Sequence, residues 1–299
     1  MWNKPWRLQE GFVIGTGLIV TGLMLQFSMG PIDWSLFAWP ANIIVLAVFL
    51  LLAALVFAFR NKAYGFRFLA TYTCAVPALV ITSALTIIMG LTAQVSEHSQ
   101  PIDFLGITKM LSFWPFVLLY LWIAFILAQE SLVQLLYFKW RRLPSLVSHL
   151  GLLITLLTAT LGSADMQRLN MYTVLNQTEW RAINQQQVVQ ELPIAITLKQ
   201  FIMETYDDGS PKRFASDIVI YSKNGESQRA TVDVNKPVEV SGWKIYQYGY
   251  DTAMGAESEL SILELVRDPW LPYVYAGIYL MIAGAVLLLF TAKQKNTKD

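Results

Sequence analysis

Six long apolar stretches constrain this chain before any single residue is weighed. They run at about 11–29, 41–59, 68–92, 112–137, 145–163 and 270–291. A bilayer core about 30 Å thick is crossed by about 20 apolar residues in a helix, and each stretch meets or approaches that length. Hydrocarbon offers the backbone no hydrogen-bond partner, so each is expected to be a helix. Between the fifth and sixth lies a polar stretch, 164–268, long enough for one small folded domain. The expected fold is a polytopic α-helical membrane protein of about six spans, with an extracytoplasmic all-β domain inserted before the last span. The expected divisions are a five-span region 1–163, a β-rich domain 164–268, and a last span with a tail, 269–299. Composition agrees, with 55% hydrophobic and only 14% charged residues.

The basic residues set the orientation. Lys4 and Arg7 precede the first span, Arg60, Lys62 and Arg67 follow the second, Lys139, Arg141 and Arg142 follow the fourth, and Lys293, Lys295 and Lys298 follow the last. The alternate short loops carry Lys109 against Asp33, Glu97 and Asp103. Both termini are therefore expected on the cytoplasmic side of a bacterial inner membrane, with 164–268 outside, in the periplasm of a cell with two membranes. The short basic start ahead of a long apolar run, without an obvious small-residue cleavage pattern, reads as a retained anchor.

The polar stretch reads as strands. Leu192–Leu198 alternates, and Phe201–Tyr206 continues it less cleanly. Asp217–Ser222 and Gln228–Val234 flank an Asn224-Gly225 pair, the strongest local hairpin signal. Val238–Val240 and Trp243–Tyr248 flank Ser241-Gly242, and Leu260–Val266 precedes Asp268-Pro269. A small sandwich or half-barrel is expected. Residues 164–191, rich in Gln and Asn, read as a loop or short helix. The stretch 164–268 carries ten basic and fifteen acidic residues, which leaves no basic face for nucleic acid.

One intramembrane histidine stands out. His149 lies in the apolar run Leu146–Ile154, five residues past Pro144, about 7–8 Å into its helix from the cytoplasmic end. Ionisable groups in spans are rare and usually functional, and imidazole is a common ligand to metals, haem iron included. Glu130, with Gln129 and Gln134 nearby, lies in the preceding antiparallel span, about 12 Å from the same face. A carboxylate that accepts the second ring N–H of a ligating imidazole is a common supporting arrangement, so Glu130 is a candidate partner of His149. The bland alternative is that Glu130 snorkels to the interface and His149 only bonds a neighbouring helix. His98, in Val95–Ser99, reads as a solvated loop residue. One histidine cannot hold six-coordinate haem alone, so a haem role for His149 requires a second ligand, most simply from a partner subunit. The aromatics Trp34, Phe37, Trp39, Phe104, Phe113 and Trp114 read as an interfacial belt.

Several functions are excluded or weakened. A single cysteine, Cys74, rules out a self-contained thiol–disulfide oxidoreductase. No Walker loop, GxSxG, HExxH or Rossmann glycine pattern is present.

Three stretches together resemble one family. They are Ser148–Leu153 running to Leu161-Gly162-Ser163; Phe214–Ile218, Asn235-Lys236-Pro237 and Gly242–Asp251; and Arg267-Asp268-Pro269-Trp270 with Tyr275, Gly277 and Gly284. This pattern, over about 145–291, resembles the ResB (CcsB) family, the membrane subunit of the system II cytochrome c biogenesis machinery. The resemblance implies a non-catalytic subunit of a haem-lyase complex, paired with a CcsA-like protein that holds a tryptophan-rich haem-handling motif. It implies that the pair carries haem b to the outer face of the membrane and supports its covalent attachment to the CxxCH motif of apocytochrome c. It maps the family's haem-ligating intramembrane histidine onto His149. Five spans precede the outer domain here, where the family commonly has three. Two other functions compete: a b-haem anchor for quinol-linked electron transfer, which would normally show several intramembrane histidines, and a purely structural docking subunit in which His149 is a packing residue.

Overall fold

A computed structural model describes residues 2–96 and 99–296, so the expectation for His98 lies outside the described residues. The chain divides into two compact units: residues 1–164 with 270–299, and residues 165–269.

The first unit is helical: α1 Leu8–Met29, α2 Ala41–Ala58, a short α3 Tyr64–Phe68, α4 Tyr72–Leu91, α5 Trp114–Leu136, α6 Leu143–Gly162 and α7 Leu271–Asn296. Six of these, all but α3, are long and apolar enough to cross a membrane. The third apolar stretch, expected from residue 68, starts its helix at Tyr72; Tyr64–Phe68 forms its own turn, with the Thr71 hydroxyl donating to Phe68 O at 2.6 Å. Helix α5 is the centre of the bundle. It touches α1, α2, α4 and α6, and half of its apolar window is buried against 17% for α1, α2 and α4. Large apolar side chains such as Ile44, Leu51, Leu79, Val80 and Leu289 are left exposed. That surface is stable only against lipid or another apolar chain.

Helices α6 and α7 form the closest pair. Each presents small residues to the other, the packing device of helices in lipid. A Cβ added at Gly151 would lie 2.7 Å from Gly277 O and Met281 N, and one at Gly284 would lie 2.7 Å from Ser148 N. Only glycine admits backbones this near.

The second unit is one antiparallel sheet of eight strands: β1 Gln167–Val174, β2 Thr178–Ile183, β3 Val189–Thr205, β4 Pro211–Ser222, β5 Ser227–Asp233, β6 Val238–Val240, β7 Trp243–Tyr250 and β8 Leu260–Arg267. The order is β5-β4-β3-β2-β1-β8-β7-β6. The strand that enters the unit pairs with the one that leaves it, from Gln167 opposite Arg267 to Val174 opposite Leu260. Strands far apart in that order also touch, β5 against β6 and β7, and β4 against β7. The sheet therefore rolls over a single core, led by Met171, Ile196, Leu198, Ile218, Ile245, Leu263 and Leu265. This is the half-barrel alternative of the sequence reading.

Both turn signals form hairpins. Gly225 sits at φ 80°, and Ser241 and Gly242 at φ 51° and 79°, the left-handed pair that a two-residue hairpin requires. The two segments expected at 192–206 are one strand, β3, with a register shift between Leu198 and Gln200. Residues 164–191 are a correction. Past a 3-10 turn at Ser163–Asp165 they form β1, β2 and the start of β3, joined by short turns. Leu169, Met171 and Thr173 alternate into the core, while β2 buries only Ala182 and is bulged between Glu179 and Arg181. Its strand conformation comes from its two paired neighbours, which outweigh its polar composition.

Candidate haem-ligand site on helices α5 and α6

Helix α6 starts at Leu143 and has Pro144 in its first turn, where a missing N–H would have no partner anyway. Apolar residues then run to Gly162. Its polar exceptions on one side are Ser145 and His149, four residues apart and hence one turn apart on the same face. Helix α5 carries the matching pair, Glu130 and Gln134, also four apart. The two pairs meet around Gln134. Its Nε2 donates to Glu130 Oε1 at 2.6 Å and lies 3.2 Å from Ser145 Oγ and 3.3 Å from His149 Nδ1.

Four side chains thus converge, and Glu130 and His149 are brought into one network. The immediate partner of the ring is the Gln134 amide, with Glu130 one step behind it. The sequence reading placed Gln134 near Glu130 but not between Glu130 and His149. The four-residue spacing on two adjacent antiparallel helices was the signal that could have found it. Gln134 is only 4% exposed, and its Oε1 is buried with no hydrogen-bond partner. Glu130 and His149 are half-buried. No hydrogen bond from the described residues reaches His149 Nε2, so that ring nitrogen is available.

Other polar ties fix the placement of α6. The Tyr120 hydroxyl of α5 donates to Leu156 O at 2.9 Å and accepts from the Thr160 hydroxyl at 2.8 Å. Asn42 of α2 donates to Leu161 O at 3.2 Å, and Gln129 of α5 donates to Ala53 O at 2.9 Å. Buried amides in a span are expensive unless bonded, so these contacts hold α2, α5 and α6 in one register.

The chemistry available is that of one imidazole. Among the described residues no group of three or more His, Cys, Asp or Glu could hold a metal ion. Among the described residues, the donor set fits one coordination position of a haem iron rather than a self-contained metal centre. In the β unit, two residues of the resembling pattern are tied into the fold. Gln247 is buried and accepts from Ser216 and Ser261 at 2.6 and 3.0 Å, and it donates to Gly249 O at 2.8 Å. Tyr250 is stacked between Phe201 and Phe214, at 4.8 and 5.1 Å.

Residues 139–259 match the model of the ResB-like family. That segment contains His149 and most of the β unit. Over that segment, the chain is similar to the ResB-like family. A cytochrome c biogenesis protein CcsB of Prochlorococcus marinus subsp. pastoris is 30% identical over 132 residues, 43% of this chain and 30% of that protein. Another of the same name, from a second Prochlorococcus marinus strain, is 25% identical over 112 residues, 38% of this chain and 25% of its own length. Each match thus spans less than a third of the relative. Among solved structures, a cytochrome c haem lyase CcmF superposes at 16% identity with a TM-score of 0.34, covering 82% of this chain and 45% of that one, a likeness too weak to carry an argument. Glu130 and Gln134 lie just before the ResB-like segment.

Proposed function

We propose that this protein is a cytochrome c biogenesis subunit that works with a CcsA-like membrane protein to bring haem to the outer face of a bacterial inner membrane. His149 supplies one axial ligand to the iron, and an imidazole of the partner supplies the other. The observation that carries this reading is the half-exposed His149. Its Nδ1 lies against a buried amide, its Nε2 takes no hydrogen bond from the described residues, and it lies within the ResB-like segment. A packing histidine would be expected to have both nitrogens satisfied or buried.

Haem, when bound, supplies the iron and the vinyl groups to which apocytochrome thiols become attached. The chain's own part is to hold and orient. Helix α6 sets the imidazole at a fixed depth on a bundle face that a second chain can cover. In this reading the β unit, residues 165–269, lies outside the membrane, which the distribution of lysine and arginine supports, and docks the apocytochrome. One imidazole cannot complete the iron's coordination, which supports a two-protein site over a self-contained b-haem anchor.

The test is genetic and biochemical. In a host lacking this chain, membranes are stained for covalent haem after denaturing electrophoresis. Loss of stained c-type cytochromes, restored by the wild-type chain, is the expected result. Normal staining without the chain would refute the proposed function.

A further inference from the structure

We infer that the seam between β5 and β6 is a peptide slot, where an extended, positively charged segment of the apocytochrome pairs with the free edge of β5. The inference rests on the proposed docking of the apocytochrome by the β unit. These two strands are the edges of the rolled sheet, and they are consecutive in the chain. Val234 and Asn235 form the turn between them. Asp233 pairs with Lys236 across it, the Asp233 N–H donating to Lys236 O at 3.4 Å. A hairpin would zip up from there and close the roll. It stops after this one bridge. Pro237 has no N–H to donate across the seam, and β6 pairs with β7, from Val238 opposite Ile245 to Val240 opposite Trp243.

The register shows which backbone groups this leaves free. The Ser222 N–H donates to Glu226 O at 2.9 Å, which makes Ser222 and Glu226 a hydrogen-bonded pair of the β4–β5 ladder. Bonded and non-bonded pairs alternate along an antiparallel ladder. Ser227 lies opposite Tyr221, Arg229 opposite Val219 and Thr231 opposite Asp217. The N–H and C=O groups of these three residues therefore point away from β4, into the seam. On the other side, the two-residue turn Ser241-Gly242 makes Val240 and Trp243 a bonded pair, so the backbone of Glu239 faces the seam as well. Among the described residues, none of these four N–H groups has a hydrogen-bond partner. Exposed edges are commonly blunted by proline or a bulge, and β5 has neither between Ser227 and Asp233.

Away from the Asp233–Lys236 bridge the seam opens into a cavity of about 820 Å³, lined by Lys223, Glu226, Gln228, Glu239, Val240 and Ser241 among others. A row of alternating donors and acceptors on an open edge is matched by an extended polypeptide backbone. A folded partner keeps those groups in its own helices and ladders, so the slot selects a chain not yet folded. The charges select further. Arg229 and Asp233 of β5 are already paired, with Asp217 and Arg213. Glu226 and Glu239 have no ion pair among the described residues, and Lys223 is the one cation beside them on the lining. A second copy of this chain would bring the same carboxylates face to face, whereas a cationic segment is attracted.

The test uses the full chain in lipid nanodiscs and a fluorescently labelled apocytochrome c whose CxxCH thiols are alkylated, so that nothing attaches covalently. Amide exchange is followed residue by residue with and without it, and affinity is measured for the wild type and Ser227→Pro. Ser227 is the first residue of β5, where a proline removes the outward N–H and leaves the β4 ladder intact. The amides of Ser227, Arg229, Thr231 and Glu239 should exchange freely in the chain alone and slow by about tenfold or more on binding. Ser227→Pro should weaken binding by about tenfold, the worth of one backbone hydrogen bond. Thermal unfolding checks that the variant is folded, and exchange in the wild type decides without it. Binding that leaves these amides fast overturns the slot and leaves docking elsewhere on the β unit standing. No binding by the wild type overturns the slot and the docking reading together. Exchange that slows as the chain alone is concentrated assigns the seam to a second copy and overturns the apocytochrome as its occupant.

Discussion

Replacing Gly151 with alanine tests whether the α6–α7 contact sets the position of the proposed haem-ligand site. The added Cβ would lie 2.7 Å from both Gly277 O and Met281 N, and 3.0 Å from Leu280 Cβ. The first two are backbone atoms that cannot rotate away. They fall about 0.7 Å short of the 3.4 Å at which ordinary contact begins, so the helices must move apart. Overpacking of this kind costs about 1–3 kcal/mol, or a factor of about 5–150 in the folded-to-unfolded ratio. The 3.3 Å contact between Gln134 and His149 is already near the limit of a hydrogen bond, and a shift of α6 by a few tenths of an ångström abolishes it. Gly17→Ala on α1 is the control. Nothing lies within 4 Å of its Cβ position, and alanine is the better helix former by about 1 kcal/mol. Unfolding in mixed micelles, followed by tryptophan fluorescence, reads the stability, and haem co-purified with the partner reads the site. Gly151→Ala should lose both while Gly17→Ala loses neither. Equal stability of the two variants would refute the close-packing argument.

Two further outcomes follow from other parts of the chain. In the β unit, Ser216→Val removes the hydroxyl that donates to Gln247 Oε1 at 2.6 Å in a fully buried site. It should destabilise the sheet by about 1–3 kcal/mol, seen as faster amide exchange across β7 in the intact chain; unchanged exchange would show that the polar cluster is dispensable. In the loop before α5, burial pushes the Asp103 carboxyl up. The Thr108 hydroxyl and the backbone N–H groups of Thr108, Ile107 and Gly106 together outweigh it and hold the group down at about 2 against an ordinary 3.8. A depressed carboxyl stabilises the fold above its unfolded value and loses that contribution as pH falls toward the folded one. Pepsin should therefore cut this loop faster in Asp103→Asn than in wild type at pH 4, and the difference should close as the pH approaches 2. A difference that persists to pH 2 would contradict the sign.

The spans were legible because hydrocarbon enforces one solution for the backbone. The apolar stretch at 41–59 became Ala41–Ala58 and that at 112–137 became Trp114–Leu136, within a residue or two at either end. The hairpins at Gly225 and at Ser241-Gly242 were legible because their turns require left-handed backbone, which few residues supply. Strands β1 and β2 were not, because their polar residues carry no period of their own and the pairing that makes them strands lies elsewhere in the chain. His149 was legible as a lone ionisable group in a span, and the ResB-like pattern around it was borne out by the family match over residues 139–259. The link between His149 and Glu130 through Gln134 was hidden in the rotation of two helices about their axes. Hydrophobicity around α5, which is apolar on nearly every side, does not specify that rotation.

The central claim is that His149 ligates haem iron together with a partner's imidazole. The direct measurement is a pyridine-haemochrome spectrum of this chain co-purified with the proposed CcsA-like partner, comparing wild type with His149→Gly, each with and without added imidazole. Haem present in the wild type, lost in the variant and restored by imidazole is the predicted result. Equal haem in both proteins would contradict it, and would leave this chain a scaffold beside a partner that holds the haem alone.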